Sequence, residues 1–120
     1  MNYHIYTASH GDAGAITHFI LDEAGHLTKR EEYPAPCPDY MTLEGDRLYV
    51  LLREPYRDQG GIQVYRILTD GSLKKEGIPE PVRGSIASYV LRHKGYTYVT
   101  NYIQGTTIRL PDKMIVHLGS

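Results

Sequence analysis

The sequence predicts an all-β chain of short antiparallel strands, and three observations carry that prediction. Eleven Tyr and one Phe, with no Trp, stand among twelve Gly and seven Pro in 120 residues, an inventory that favours short strands broken by turns. The one window with room for a helix, Leu21 to Glu32, is interrupted by Gly25 and shows no apolar face at 3.6-residue spacing, so it reads as a hairpin. The third observation is that the chain repeats itself.

Shifted by 46 positions, the first thirty residues fall on the next block without a gap. Tyr3 meets Tyr49, Asp12 meets Asp58, Gly14 meets Gly60 and Ile16 meets Ile62; further on, Phe19 meets Tyr65, Gly25 meets Gly71 and Leu27 meets Leu73. A second register, offset by 49, lays Tyr40-Met41 on Tyr89-Val90 and Leu48-Tyr49-Val50 on Thr97-Tyr98-Val99. The period is therefore in the middle forties.

Within each period the runs alternate like strands and are bounded by turn chemistry. Glu44-Gly45-Asp46 and Lys94-Gly95 mark one type of hairpin; Asp22 to Gly25 and Thr69 to Ser72 mark another. The first unit offers three strands, at 3–8, 14–21 and 26–31. The second offers four, at 39–43, 47–53, 61–68 and 72–76, and the third four more, at 87–92, 96–102, 106–110 and 113–118. Four antiparallel strands in such a period mark a β-propeller blade. A small β-sandwich with a coincidental repeat is the alternative, and the ungapped register argues against it.

The chain thus reads as a partial β-propeller of about three four-stranded antiparallel blades, in units of approximately 1–33, 34–78 and 79–120, the first lacking its innermost strand. Closed rings have ~4 to 8 blades. We therefore expect this to be the N-terminal part of a larger ring, with remaining blades in the same polypeptide or self-association covering the open blade edges.

Thirteen basic against fourteen acidic side chains leave a net charge of -1, which argues against a nucleic-acid partner. No apolar run reaches the ~18 to 20 residues of a membrane span, and the N-terminus lacks a cationic leader, so the expectation is a soluble cytoplasmic chain without membrane contact. The single Cys37 forms no internal disulfide and no thiolate-rich zinc site.

The residues also carry a family resemblance. Tyr6-Thr7-Ala8-Ser9 with Gly14-Ala15-Ile16 and Gly25-His26-Leu27, then Cys37-Pro38-Asp39-Tyr40-Met41, Leu48-Tyr49-Val50 and Glu54 follow in order. Gly61 to Tyr65, Gly71-Ser72-Leu73 and Thr100-Asn101-Tyr102 with Gly105 complete the series. The chain resembles the N-terminal part of the lactonase family with a seven-bladed β-propeller fold. It departs where Cys37 replaces the family's usual Asn, Asp39 a Ser, and Leu52 an Asn before the Glu. The resemblance implies a ring of seven blades and hydrolysis of a sugar-derived lactone, foremost 6-phosphogluconolactone to 6-phosphogluconate. The substrate partner is then a small-molecule lactone, and no cofactor or metal is called for.

Blade geometry gathers the loops between second and third strands, and from outer strand to next innermost strand, on one face. That face carries Ser9, His10, Asp12, Asp39, Arg53, Glu54, Arg57, Asp58, Arg83, Ser85, Ser88, Asn101, Tyr102 and Gln104. Lactone hydrolysis needs a base for water, a donor for the oxyanion and, for a phosphorylated substrate, cations. Glu54, at the end of a second strand, is the leading general base or substrate-orienting group, with a solvated carboxylate as the alternative. His10 in its Ser-His-Gly-Asp turn is the second proton-transfer candidate, or else a surface histidine. Asp39, Asn101 and Tyr102 are candidates to hold substrate, the last two with a structural alternative at a strand end. Arg57 and Arg83 suit a phosphate, since a planar guanidinium holds two of its oxygens.

The five other histidines, His4, His18, His26, His93 and His117, are expected on strand surfaces, with no two at the i, i+4 or hairpin spacing that would support a zinc site. Cys37, between Pro36 and Pro38, is expected in a small buried slot. A non-catalytic propeller that binds a ligand or protein stays as the second functional class. The 120 residues alone are expected to be inactive.

Overall fold

A computed structural model describes residues 2–9, 14–56, 59–82, 87–101, 106–110 and 114–117. Eleven strands are described: β1 (Tyr3–Ser9), β2 (Ala15–Leu21), β3 (Leu27–Pro34), β4 (Pro38–Glu44), β5 (Arg47–Tyr56), β6 (Gln59–Ile67), β7 (Leu73–Pro81), β8 (Ala87–His93), β9 (Tyr96–Asn101), β10 (Thr106–Leu110) and β11 (Met114–His117). They form three antiparallel meanders, β1-β2-β3, β4-β5-β6-β7 and β8-β9-β10-β11.

The turns explain the breaks between strands. Glu44 pairs with Arg47 across Gly45, whose φ is 60°, and His93 pairs with Tyr96 across Lys94 and Gly95, with φ of 48° and 82°. Two positive φ values in a two-residue loop match the right-handed twist of the flanking strands. Gly25 and Gly71, equivalent in the 46-residue register, turn with nearly the same φ, 88° and 85°.

The three sheets stand side by side in a radial arrangement. β4 packs against β8, β5 against β8, and β1 against β4, so the β5–β8 contact of the second and third sheets recurs between the first and second as β1–β4. β5 shows why its apolar run is continuous. Leu48, Val50 and Leu52 join Ile16, Ala35, Tyr65 and Leu73 in a core shared with the first sheet; Tyr49 and Leu51 join Val82, Val90, Val99 and Leu110 in a core shared with the third. Alternate side chains leave opposite faces of a strand, and a sheet covered on both faces has no polar side. Each fully buried Leu, Val or Ile is worth ~1.5–3 kcal/mol, so this one strand ties three sheets together.

The edge of β1 away from β2 has no strand partner among the described residues. A cleft of about 430 Å³ lies there, lined by His4, Ile5 and Tyr6 of β1, Met41, Thr42 and Leu43 of β4, and Leu48. Its place corresponds to that of β4 in the second sheet, as expected for a first blade without its innermost strand.

Three expectations need correction. β3 and β7 run to Pro34 and Pro81, beyond the expected ends at 31 and 76. Both are outermost strands, where a missing proline N–H leaves no ladder bond broken, and β7 is irregular opposite Gln63, whose Nε2 donates to the carbonyls of Val64, Glu76 and Gly77 at 3.1, 3.4 and 3.2 Å. His18 is not a strand-surface residue: it is fully buried, and its Nε2 lies 2.8 Å from His4 Nδ1. The β1–β2 register sets Tyr6 opposite His18 and His4 opposite Ile20, so the two imidazoles are diagonal neighbours across a hairpin. Cys37 is partly exposed, and adopts a φ of 44°.

Candidate active-site face

The meanders bring one set of strand ends together at one end of the sheets: Ser9 and Ala15, Pro34 and Pro38, Tyr56 and Gln59, Pro81 and Ala87, and Asn101 and Thr106. The tight turns at 22–26, 45–46, 68–72 and 94–95 lie at the other end. Of the sequence-predicted site residues, Asp39, Arg53, Glu54 and Asn101 are described, and their backbone lies at the first end.

The scaffold under this face is built twice. Gly14 O accepts from Ala35 N at 3.0 Å, and Gly60 O accepts from Val82 N at 3.0 Å. Gly14 and Gly60 are equivalent in the repeat, and both need to be glycine because backbone passes so near. A Cβ on Gly14 would meet Ala35 O at 2.5 Å and Cys37 N at 3.0 Å; one on Gly60 would meet Leu52 O at 3.0 Å. The 34–38 segment thus crosses tightly over the start of β2. Cys37 O then accepts from Arg53 N at 3.0 Å, which fastens the crossing to the end of β5.

Two irregularities shape the rim beside that crossing. In β4, Pro38 pairs with Leu52 and Tyr40 with Leu51, leaving Asp39 as the extra residue of a bulge. In β5, Leu52 pairs with Gly61 and the next pair is Tyr56 with Gln59, so Arg53, Glu54 and Pro55 bow out of the ladder. Bulges recur beside active sites because they re-aim side chains. The third sheet repeats the first of them: Ala87 pairs with Asn101 and Tyr89 with Thr100, so Ser88 takes the place of Asp39. The structure therefore brings Asp39 and Glu54 to one end of adjacent strands, with Asp39 half-buried and Arg53 exposed. Asn101 is the last residue of β9, at the same end. His10, Arg57, Arg83 and Tyr102 lie outside the described residues.

Next to the bulges sits a pair that sequence reasoning aligned but did not treat as part of the site. Tyr40 and Tyr89, on the neighbouring strands β4 and β8, approach with ring centroids 4.5 Å apart. Both are partly exposed, and the Tyr89 hydroxyl holds the Tyr40 phenol above its ordinary range by hydrogen bonding. The signal was the 49-residue register itself. Among the described residues, no group of three or more His, Cys, Asp or Glu is placed to hold a metal ion. Among the described residues no helix is long and apolar enough to cross a membrane, which concerns helical spans alone.

The meander order, the equivalent glycines and the repeated bulges describe radial blades, and the comparison with family models agrees. The model of the lactonase family, described as a 7-bladed beta-propeller, matches residues 2–113. The chain belongs to that family. No curated protein and no solved structure matches it. As a member of the lactonase family it has a function of the lactonase type, and its three sheets correspond to part of a seven-bladed ring.

Proposed function

We propose that the chain forms part of a lactonase that opens a sugar-derived lactone, 6-phosphogluconolactone, with water to give 6-phosphogluconate. The lactonase family match supports the reaction class, and the single observation that supports Glu54 as its centre is the bulge at 53–55 beside Asp39. In this reading the Glu54 carboxylate takes a proton from water as the oxygen attacks the ring carbonyl. The carbonyl carbon becomes tetrahedral, the ring C–O bond breaks, and the proton passes to the departing alkoxide, so that water is added across the ester. His10 is the second group able to move that proton. Asp39, Asn101 and Tyr102 hold sugar hydroxyls, while Arg57 and Arg83 hold the phosphate. A single cysteine and no requirement for a disulfide suit a reducing compartment, and we assign the protein to the cytoplasm.

The test is the rate of 6-phosphogluconolactone hydrolysis, corrected for the spontaneous reaction, in the 120-residue chain and in a polypeptide carrying all seven blades. The complete ring should be active and the shorter chain inactive. In the ring, Glu54→Gln keeps the shape but accepts no proton, and should lower the rate ~10²- to 10⁴-fold at an unchanged melting temperature. An unchanged rate would return Glu54 to a solvated carboxylate. A complete ring without lactone hydrolysis would favour a non-catalytic binding propeller.

A further inference from the structure

The first sheet holds a pair of imidazoles that the reaction above does not use, His18 buried and His4 exposed. His18 on β2 is fully buried, and its Nδ1 has no hydrogen-bond partner. Tyr6 stacks on its ring, with centroids 5.0 Å apart and planes inclined by 18°. The β6–β7 turn of the second sheet closes over the pair. A Cβ on Gly71 would run into His4 Nδ1 and His18 Cε1, and Gly71 O accepts the Tyr6 hydroxyl at 2.6 Å. Beside it, Leu73 N donates to Tyr33 Oη at 2.9 Å.

Proton accounting assigns the tautomer. A neutral imidazole carries one N–H. If His4 donated to His18 Nε2, the His18 proton would sit on Nδ1, a buried donor without an acceptor, at a cost of ~1–3 kcal/mol. Nδ1 is unpartnered in either tautomer, and an orphaned buried N–H is the rarer case, so we assign His18 Nε2–H as the donor and His4 Nδ1 as the acceptor. A second proton on His18 would have to occupy the buried, unpartnered Nδ1, so His18 has no place for a charge.

Around it stand Arg30, Glu31 and Tyr33 from β3, Tyr6 from β1 and Asp70 from the turn. Burial foremost, then His4 and Arg30, disfavour a charge on His18, while Asp70 and Glu31 favour it more weakly. We propose that His18, hydrogen-bonded to His4, forms a proton-sensitive latch: neutral, it holds the Asp70–Leu73 turn of the second sheet against the first, and uptake of a proton by His18 releases it. The sign follows from a His18 pKa lowered in the closed form from its ordinary value of ~6.5. Below that value the open form binds more protons, so closure is complete above ~6.5 and weakens as the pH falls, by up to ~10-fold per pH unit.

Amide hydrogen exchange tests this on the 120-residue chain, with protection of the Gly71 and Leu73 amides corrected for the intrinsic pH dependence of exchange between about pH 8 and about pH 5. Protection should fall up to ~10-fold per unit below ~6.5. His18→Gln, whose amide keeps a donor near the Nε2 position and does not titrate, should level the profile. Nitrogen chemical shifts of the imidazoles decide the matter if that variant fails to fold: His18 should carry its proton on Nε2 at neutral pH and change state together with the loss of protection. A flat profile in the unaltered chain, an unchanged slope in His18→Gln, or a proton on His18 Nδ1 at neutral pH would each overturn the latch.

Discussion

The Tyr40 ring lies against the Tyr89 ring, centroids 4.5 Å apart and planes inclined by 41°, so two residues made equivalent by a 49-residue repeat touch each other. Radial blades produce this relationship because their innermost strands converge; face-to-face sheets would not bring equivalent positions together in this way. It also makes the pair sensitive to either partner. Tyr89→Phe removes the hydroxyl that leads the upward shift of the Tyr40 phenol. Ultraviolet difference titration should then show one tyrosine ionising at lower pH than in the unaltered protein. An identical titration curve would mean that the hydroxyls do not interact in solution.

Among the described glycines Gly14 has the tightest backbone approach, with a Cβ position 2.5 Å from Ala35 O and 3.0 Å from Cys37 N. Gly14→Ala should cost ~1–3 kcal/mol through forced displacement of backbone, the order expected for an overpacked site. Gly45→Ala offers a contrast, since nothing lies within 4 Å of its Cβ position and only its φ of 60° penalises the substitution. Denaturant unfolding of both variants should rank Gly14→Ala as the more destabilising, and the reverse order would contradict the crossing at 34–38.

Arg92 fastens the third sheet to the second. Its Nε and Nη2 donate to Glu44 Oε1 at 3.2 and 3.0 Å, its Nη1 to Thr97 Oγ1 at 2.9 Å and Gly95 O at 3.2 Å, and the guanidinium carbon sits 4.5 Å over the Tyr49 ring. Lysine has neither the planar fork nor enough donors in fixed directions to reproduce this set. Arg92→Lys should therefore lower stability by ~1–3 kcal/mol, measured as a shift in denaturation midpoint, with part of the loss persisting at high salt because the side chain is only 15% exposed. A loss abolished by salt would reduce Arg92 to a surface ion pair.

The strand plan was legible because it rests on local rules. Gly25 and Gly71 turn alike because each sits at the same offset in the repeat, and β5 announces its double burial in the run Leu48 to Leu52. The ends of β3 and β7 were less legible, since an outermost strand tolerates Pro34 and Pro81 that a central strand would not. The candidate site divides in the same way. The repeat put Asp39, Glu54 and Asn101 at one end of the sheets. The bulges at Asp39 and 53–55 depend on how two strands count against each other and leave no mark in either strand alone.

By itself, then, the sequence determined an all-β chain, its period, its turns, the end that gathers the loops, and membership of the lactonase family through motifs in a set order. Only the tertiary structure decided which face each side chain meets. His4 and His18 are fourteen residues apart and become partners because the β1–β2 register makes them diagonal neighbours. Gly71 covers them from another sheet. Local patterns arise from the period of the backbone and the φ its residues accept, which each segment carries within itself. Contacts between sheets depend on register and on the packing of distant segments, and a one-residue change of register turns every side chain of a strand to the other face.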